Sequence, residues 1–354
     1  MLLQSPRLNT RGSILLVSIF VLIMLSMFVI TVGYAVRQKL QVITRLDVRQ
    51  KLRSLGDAAA QKAVYVLLRH RRDSREGFDA LNQSWSQNEP GFKEIKTKDG
   101  VFSIAYPVDA SNAKSKSADN ELHYGLCDEE RKININKIMK PLPLVVLKRL
   151  FKEVGMSPED ADNLTEAIKN WQIEQASKFS GGNNYYGSLH PPYTERHAEF
   201  ATLQELLWVK GMTAEIYKRI LPYITIESTG QVNLNTASRS VLVAVGLSPS
   251  VCDKIIAFRN GRDKIEGTAD DLSFDDLIGA PLVVLANGIR LDDNEQQNLK
   301  DMAESGLLTV KSKNFSAYVL AQLPYHRQAL RLKTVFDDKG MFKRWEEEFV
   351  VLPS

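Results

Sequence analysis

The chain of 354 residues has little of what most enzymes and disulfide-framed proteins are built on. Its two cysteines, Cys127 and Cys252, lie in different segments, which excludes a disulfide framework and leaves open one bridge or two free thiols. The five histidines, His70, His123, His190, His197 and His326, form no metal-ligand spacing. P-loop, dinucleotide fingerprint and nucleophile elbow are all missing, so nucleotide hydrolysis, hydride transfer and serine-hydrolase chemistry lose their sequence support. The tyrosines and prolines from Tyr185 to Tyr193 read as a packed loop or a partner surface rather than an enzyme cleft. With no catalytic constellation, the expectation is a non-enzyme. Two further absences concern structure: no charged residue from Ser13 to Val36, and no proline from Ser13 to His70.

What is there begins with that charge-free stretch, SILLVSIFVLIMLSMFVITVGYAV. As a helix it reaches about 36 Å, enough for a hydrocarbon core of about 30 Å. It is longer than an ordinary signal-peptide core and no small-x-small site follows, which favours an anchor over a cleaved secretory signal. The polar leader MLLQSPRLNTRG ends in Arg11-Gly12 directly before the run, and this junction resembles the start of type IV prepilins and pseudopilins. A plain signal anchor is the alternative. At 44% hydrophobic and 25% charged, the remainder allows one or two domains with ordinary cores. The net charge of +4 includes Arg7 and Arg11 of the leader, so it argues little for a nucleic-acid partner.

Charge beside the anchor points the other way. Arg7 and Arg11 precede it, whereas Arg37, Lys39, Arg45, Arg49, Lys51 and Arg53 follow, and the positive-inside rule then puts the large body in the cytoplasm. The prepilin resemblance implies a periplasmic body and is given precedence. The helix continues past the membrane: Val48, Leu52, Leu55, Ala59, Ala63 and Val66 keep a helical period, and Ala58, Ala59 and Ala60 permit close approach of a sheet. A juxtamembrane helix lying on anionic lipid is the other reading.

Asp73 to Gly100 reads as polar connection. Val101 to Val108 alternates as a half-buried strand ending near Pro107, Asp109 to Asn120 as a loop, and Glu130 to Asn136 as a second strand with Ile133 and Ile135 on one face. Both strands are expected to cover the long helix.

A helical region with an internal repeat follows. Gly155-Met156-Ser157, Gly211-Met212-Thr213 and Gly246-Leu247-Ser248 each close one helical pattern and open another, glycine as C-cap and Ser157, Thr213 or Ser248 as N-cap. Ile133-Asn134-Ile135-Asn136 and Val232-Asn233-Leu234-Asn235 precede two of them as related turns. These are helix-hairpin-helix patterns. Where such units grip DNA phosphates, a second glycine usually stands where this chain has Ser157, Thr213 and Ser248. Lys210, Lys218, Arg219, Lys254 and Arg259 are interleaved with Glu159, Asp160, Glu205, Glu215 and Asp253, so a solvated mixed-charge surface is preferred.

Gly12-Ser13, the asparagine turns, Asn184-Tyr185-Tyr186 with Pro191-Pro192-Tyr193, Leu203 to Leu207 running to Lys210-Gly211-Met212-Thr213, and Val232 to Ser238 stand in the order of the general secretion pathway protein K family. The resemblance covers most of the chain. It implies cleavage by prepilin peptidase between Gly12 and Ser13, an inner-membrane helix with a periplasmic head, and assembly with minor pseudopilins I and J at the tip of the type II secretion pseudopilus. The major pseudopilin and the inner-membrane assembly platform are further expected partners, and nucleic acid is not. Pilin-like subunits carry glutamate at the fifth mature position, where this chain has Val17. An unpaired carboxylate in hydrocarbon is costly, so Val17 marks a subunit without a neighbour above it. The family's acidic loop near Asn170-Trp171 is reduced here to Gln172, Glu174, Asn183 and Asn184. No cofactor is expected, and calcium is a weak candidate: Asp270 and Asp271 with Asp275 and Asp276 offer hard oxygens without EF-hand spacing, and solvated helix ends suit them better.

Leu307 to Leu323 contains two alternating runs about a Lys313-Asn314 turn, Gln328 to Phe336 supplies another strand, and Trp345 to Val351 a last edge. The expected fold is α/β: a long N-terminal transmembrane helix packed on a small antiparallel sheet, the pseudopilin head, with a large inserted all-α domain containing helix-hairpin-helix-like units. Its expected divisions are a leader at 1–12, the membrane segment at 13–36, helix and first strands at 37–136, the helical insertion at 137–300 and closing strands at 301–354. The competing reading is a membrane-tethered DNA-uptake receptor.

Overall fold

A computed structural model describes residues 11–74, 76–107, 122–137, 141–173 and 185–352. The leader before Arg11, the loop Asp109 to Asn120, and Glu174, Asn183 and Asn184 lie outside the described residues. Without proline to break it, the N-terminal segment forms one helix, α1 (Arg11–Ser74). From Ile14 it is long and apolar enough to cross a membrane.

From Leu55 onward α1 belongs to the head. Leu55, Ala59, Ala60, Ala63, Val64 and Leu67 are buried along one face, and the stripe thus runs through Val64 and Leu67 rather than the half-buried Val66. Small residues set the distance to the sheet. A Cβ on Gly56 would stand 2.8 Å from the side chain of Leu330.

The sheet under α1 is antiparallel, in the order β1 (Ile95–Lys96), β2 (Val101–Pro107), β9 (Asn314–Gln322), β10 (Gln328–Asp337), β11 (Phe342–Val351), with β3 (Leu122–Tyr124) on β2 and β4 (Cys127–Asp128) on β9. Phe315, Ala317, Val319 and Ala321 alternate as buried residues along β9, which is the pattern a one-sided sheet requires. Asp73 to Gly100 is more than connection: it carries α2 (Glu89–Phe92) and buries Leu81, Trp85 and Phe92.

Between β4 and β9 the chain forms helices around a separate core. In the first half, β5 (Ile133–Asn134) leads through an asparagine turn to α3 (Pro141–Glu153), α4 (Pro158–Gln172) and α5 (Ala214–Ile220), and returns to β6 (Ile224–Thr225), parallel to β5. The second half repeats the plan. β7 (Val232–Asn233) leads to α6 (Arg239–Val245), α7 (Pro249–Arg259), α8 (Ala280–Ala286) and α9 (Asp293–Glu304), and returns to β8 (Leu308–Thr309), parallel to β7. α3 packs on α6 and joins the halves.

Two expectations are corrected here. Glu130 to Asn136 is not a strand of the head: Glu129–Arg131 is a 3-10 turn, and Ile133 and Ile135 enter the helical core. Lys313-Asn314 is no hairpin turn either, since β8 pairs with β7 and β9 with the head sheet. In both cases the short apolar run found a distant partner that local alternation does not reveal.

Candidate functional site

Gly12 and Ser13 fall in the first residues of α1, and Val17 one turn later is exposed, as are the apolar residues that follow it. Ser18, Ser26 and Thr31 return their hydroxyls to the carbonyls of Ile14, Leu22 and Met27 at 2.8–2.9 Å. Those polar side chains are therefore satisfied within the helix, as an apolar surrounding demands.

The three glycine turns have φ of +87° at Gly155, +85° at Gly211 and +126° at Gly246, and Ser157, Thr213 and Ser248 accept the N–H of Asp160, Ile216 and Val251 as N-caps. Several N–H groups around these turns are spent inside the protein. Met156 donates to Phe151, Met212 to Val209, Leu247 to Leu242, and the Ser248 N–H to Asn298 Oδ1. Arg219 lies against Gly155 and Arg149 against Gly246. Neighbouring cations are paired as well: Lys254 with Glu295, Arg239 with Asp253, and buried Arg259 with Glu266. These amides and these three cations are therefore already engaged within the protein.

Asp270 and Asp271 come together with Asp263, their carboxylate oxygens within 4.8 Å of one another, whereas Asp275 and Asp276 are not in that group. Asp270 accepts the N–H of Arg262 and Asp263 and the Thr268 hydroxyl, which hold it down at about 2. Burial raises Asp271 to about 6 although Gly267 and Thr268 donate to it. These two residues staple a loop rather than end a helix, and Asp276 caps the Gly279 N–H just before α8. The carboxylates are hard donors of the kind calcium takes, but the loop's own donors already satisfy them.

A buried polar junction was not anticipated. Asp128, the last residue of β4, accepts at Oδ2 from Ser312 Oγ (2.7 Å), Thr236 Oγ1 (2.6 Å) and Asn233 Nδ2 (3.2 Å). Asp79 accepts from Arg71 of α1 at 2.9 and 3.1 Å and from the Ser312 N–H at 2.7 Å. Glu130 takes the N–H of Asn314, Lys313 and Thr229. Glu129 is held by Lys132, Thr225 and Ser316. One cluster thus ties α1, the sheet and both helical halves together. Burial, reinforced by Glu130 and Asp79, raises Asp128 to about 7. Burial also raises Glu130, and Asp79 despite Arg71. For Glu129 burial works the same way, but Lys132, Lys333 and the two hydroxyls outweigh it and leave the carboxyl at about 2. The only sequence signal was the charged run Asp128 to Lys132, which resembles an exposed turn.

A long helix that from Leu55 lies on an antiparallel sheet, an apolar stretch long enough to cross a membrane before it, and a helical insertion between strands together define a pilin-like fold. A family model described as type II secretion system (T2SS), protein K, matches residues 131–228. Type II secretion system protein K of Aeromonas hydrophila is 26% identical over 271 residues, 72% of this chain and 71% of that protein. The protein of the same name from Pseudomonas aeruginosa is 25% identical over 264 residues, 68% and 70% of the two chains. Among solved structures, a chain of the GspK-GspI-GspJ complex from enterotoxigenic Escherichia coli superposes with a TM-score of 0.61 at 16% identity, covering 87% of this chain and 99% of its own. The chain is thus similar to type II secretion system protein K along more than two thirds of its length.

Proposed function

We propose that the protein caps the pseudopilus: its apolar helix sits in the inner membrane, its head lies in the periplasm, and it assembles with minor pseudopilins I and J to initiate growth from the assembly platform. Val17 carries this reading. A subunit with a neighbour above it offers a glutamate to that neighbour's N-terminal amine, and a capping subunit has no use for a carboxylate in hydrocarbon. The solved complex of GspK with GspI and GspJ supports the choice of partners. Withdrawal of the tip helix from the bilayer by the growing assembly would couple cytoplasmic energy to export. The proposal requires no cofactor; Asp263, Asp270 and Asp271 would hold a calcium ion if one binds in that loop. The DNA-uptake alternative is less well supported, because Met156, Met212, Leu247 and Ser248 spend their N–H groups inside the protein and Lys254 and Arg259 face carboxylates.

Cleavage by prepilin peptidase falls between Gly12 and Ser13. Gly12→Asp is expected to block processing and secretion, read by the mobility of the chain on gels and by exported protein in the medium. Normal cleavage and secretion in that variant would sink the proposal. A reporter fused after Ser354 is expected to be active only in its periplasmic form, against the positive-inside rule.

A further inference from the structure

The β9–β10 hairpin closes through Leu323 to Arg327, and Tyr325 at its tip combines two costly features. Its side chain is fully exposed, at 106% of the reference value, and its φ is +61°. A bulky residue enters that left-handed region against steric resistance, where glycine or asparagine would close the turn with less strain. At full exposure the ring recovers none of that strain through packing within the chain.

Register locates the loop. Lys96, Val101, Gln322, Ala329 and Val350 form one row across β1, β2, β9, β10 and β11. The turn Thr97 to Gly100, the Tyr325 loop and the end of β11 therefore share one end of the sheet. Arg327 donates to the Leu352 carbonyl at 3.2 and 3.3 Å, and the Leu352 N–H donates back at 2.9 Å, which pins the loop to the closing strand. Lys98, His326, Arg327 and Val351 are exposed at this same end of the sheet. Lys96, Lys98 and Arg327 meet Asp99 as the sole carboxylate of the two turns.

This is also the end at which the head's share of α1 begins. A Cβ on Gly100 would stand 2.8 Å from Leu55, whereas Arg71 lies at the opposite end, against Phe315 and the carbonyl of Ser312. A tip subunit has neighbours only on the side from which its N-terminal helix enters.

We propose that Tyr325, with Lys98 and Arg327 at the same end of the sheet, is the contact through which this head holds the pseudopilin head beneath it, on a partner surface apolar at its centre and acidic at its rim. The proposal rests on the capping role given above. Tyrosine suits such an anchor because it buries a large rigid area with little side-chain entropy to lose.

The test uses the full chain co-expressed with minor pseudopilins I and J and purified from detergent-solubilised membranes. Tyr325→Gly is expected to keep or raise the thermal midpoint, since glycine relieves the left-handed strain, while recovery of the partners falls at least tenfold. Lys98→Glu is expected to lower recovery severalfold, and a photocrosslinking residue at position 325 to capture a pseudopilin. Unchanged recovery with both variants overturns the proposal and leaves the capping role standing. Failure of the unaltered chain to recover either partner overturns both.

Discussion

Asn136 and Asn235 perform one task twice. Asn136 donates to the Phe200 carbonyl at 2.9 Å and accepts the Phe200 N–H at 2.8 Å, and Asn235 treats Phe274 alike at 3.0 and 2.8 Å. Alanine at either position strands a buried N–H and a buried carbonyl and is expected to cost about 2–4 kcal/mol, measurable by urea unfolding. The two turns were recognisable as related in the sequence, but their partners lie 64 and 39 residues downstream and carry no local mark. Asp128 sets a pH dependence. Its folded pKa of about 7 stands above the ordinary 3.8, so the folded state keeps a proton the unfolded chain has released. Stability is therefore greatest in the mildly acid range and falls as pH rises toward 7, by up to about 1.4 kcal/mol per pH unit for each such group. Asp79 and Glu130 act in the same direction, and Glu129, held low, acts in the opposite one only below its ordinary 4.5. Unfolding free energies between about pH 5 and 7 should show this slope, and Asp128→Asn should make it shallower.

At the scale of elements, helices were legible and strand partners were not. The caps at Ser157, Thr213 and Ser248 are local, each side chain reaching an N–H three residues on. Strand pairing is not: Ile133 meets Ile224, and Val232 meets Leu308. A two-residue strand has too little pattern to announce its neighbour. Close approach is equally silent in sequence. A Cβ on Gly125 would stand 1.5 Å from the Ser86 carbonyl oxygen, a backbone atom that cannot swing aside. Gly125→Ala is expected to cost roughly 3 kcal/mol and to loosen the segment around Trp85, read by tryptophan fluorescence and thermal unfolding.

For the whole molecule, the buried junction makes head and helical insertion depend on each other. Cys127 lies in the sheet and Cys252 in the helical core; both are free and buried, and burial raises both thiols, Cys252 to about 12. Neither should react with a thiol reagent in the native state, and both are expected to become reactive at one urea concentration; separate midpoints would show the two cores unfolding independently. By itself the sequence determined whatever rests on local periodicity and local caps: the unbroken α1 with its apolar half, the alternating strands β2, β9 and β10, the glycine turns and the absence of a carboxylate at Val17. Those features follow from residues within a turn or two of each other. Only the tertiary structure decided that Glu130 to Asn136 leaves the head sheet, that Asp79, Asp128 and Glu130 are drawn into one buried cluster, and that Tyr325 is left outside. Each of these depends on segments far apart in the chain, where long-range closure and burial, not pattern, select the partner.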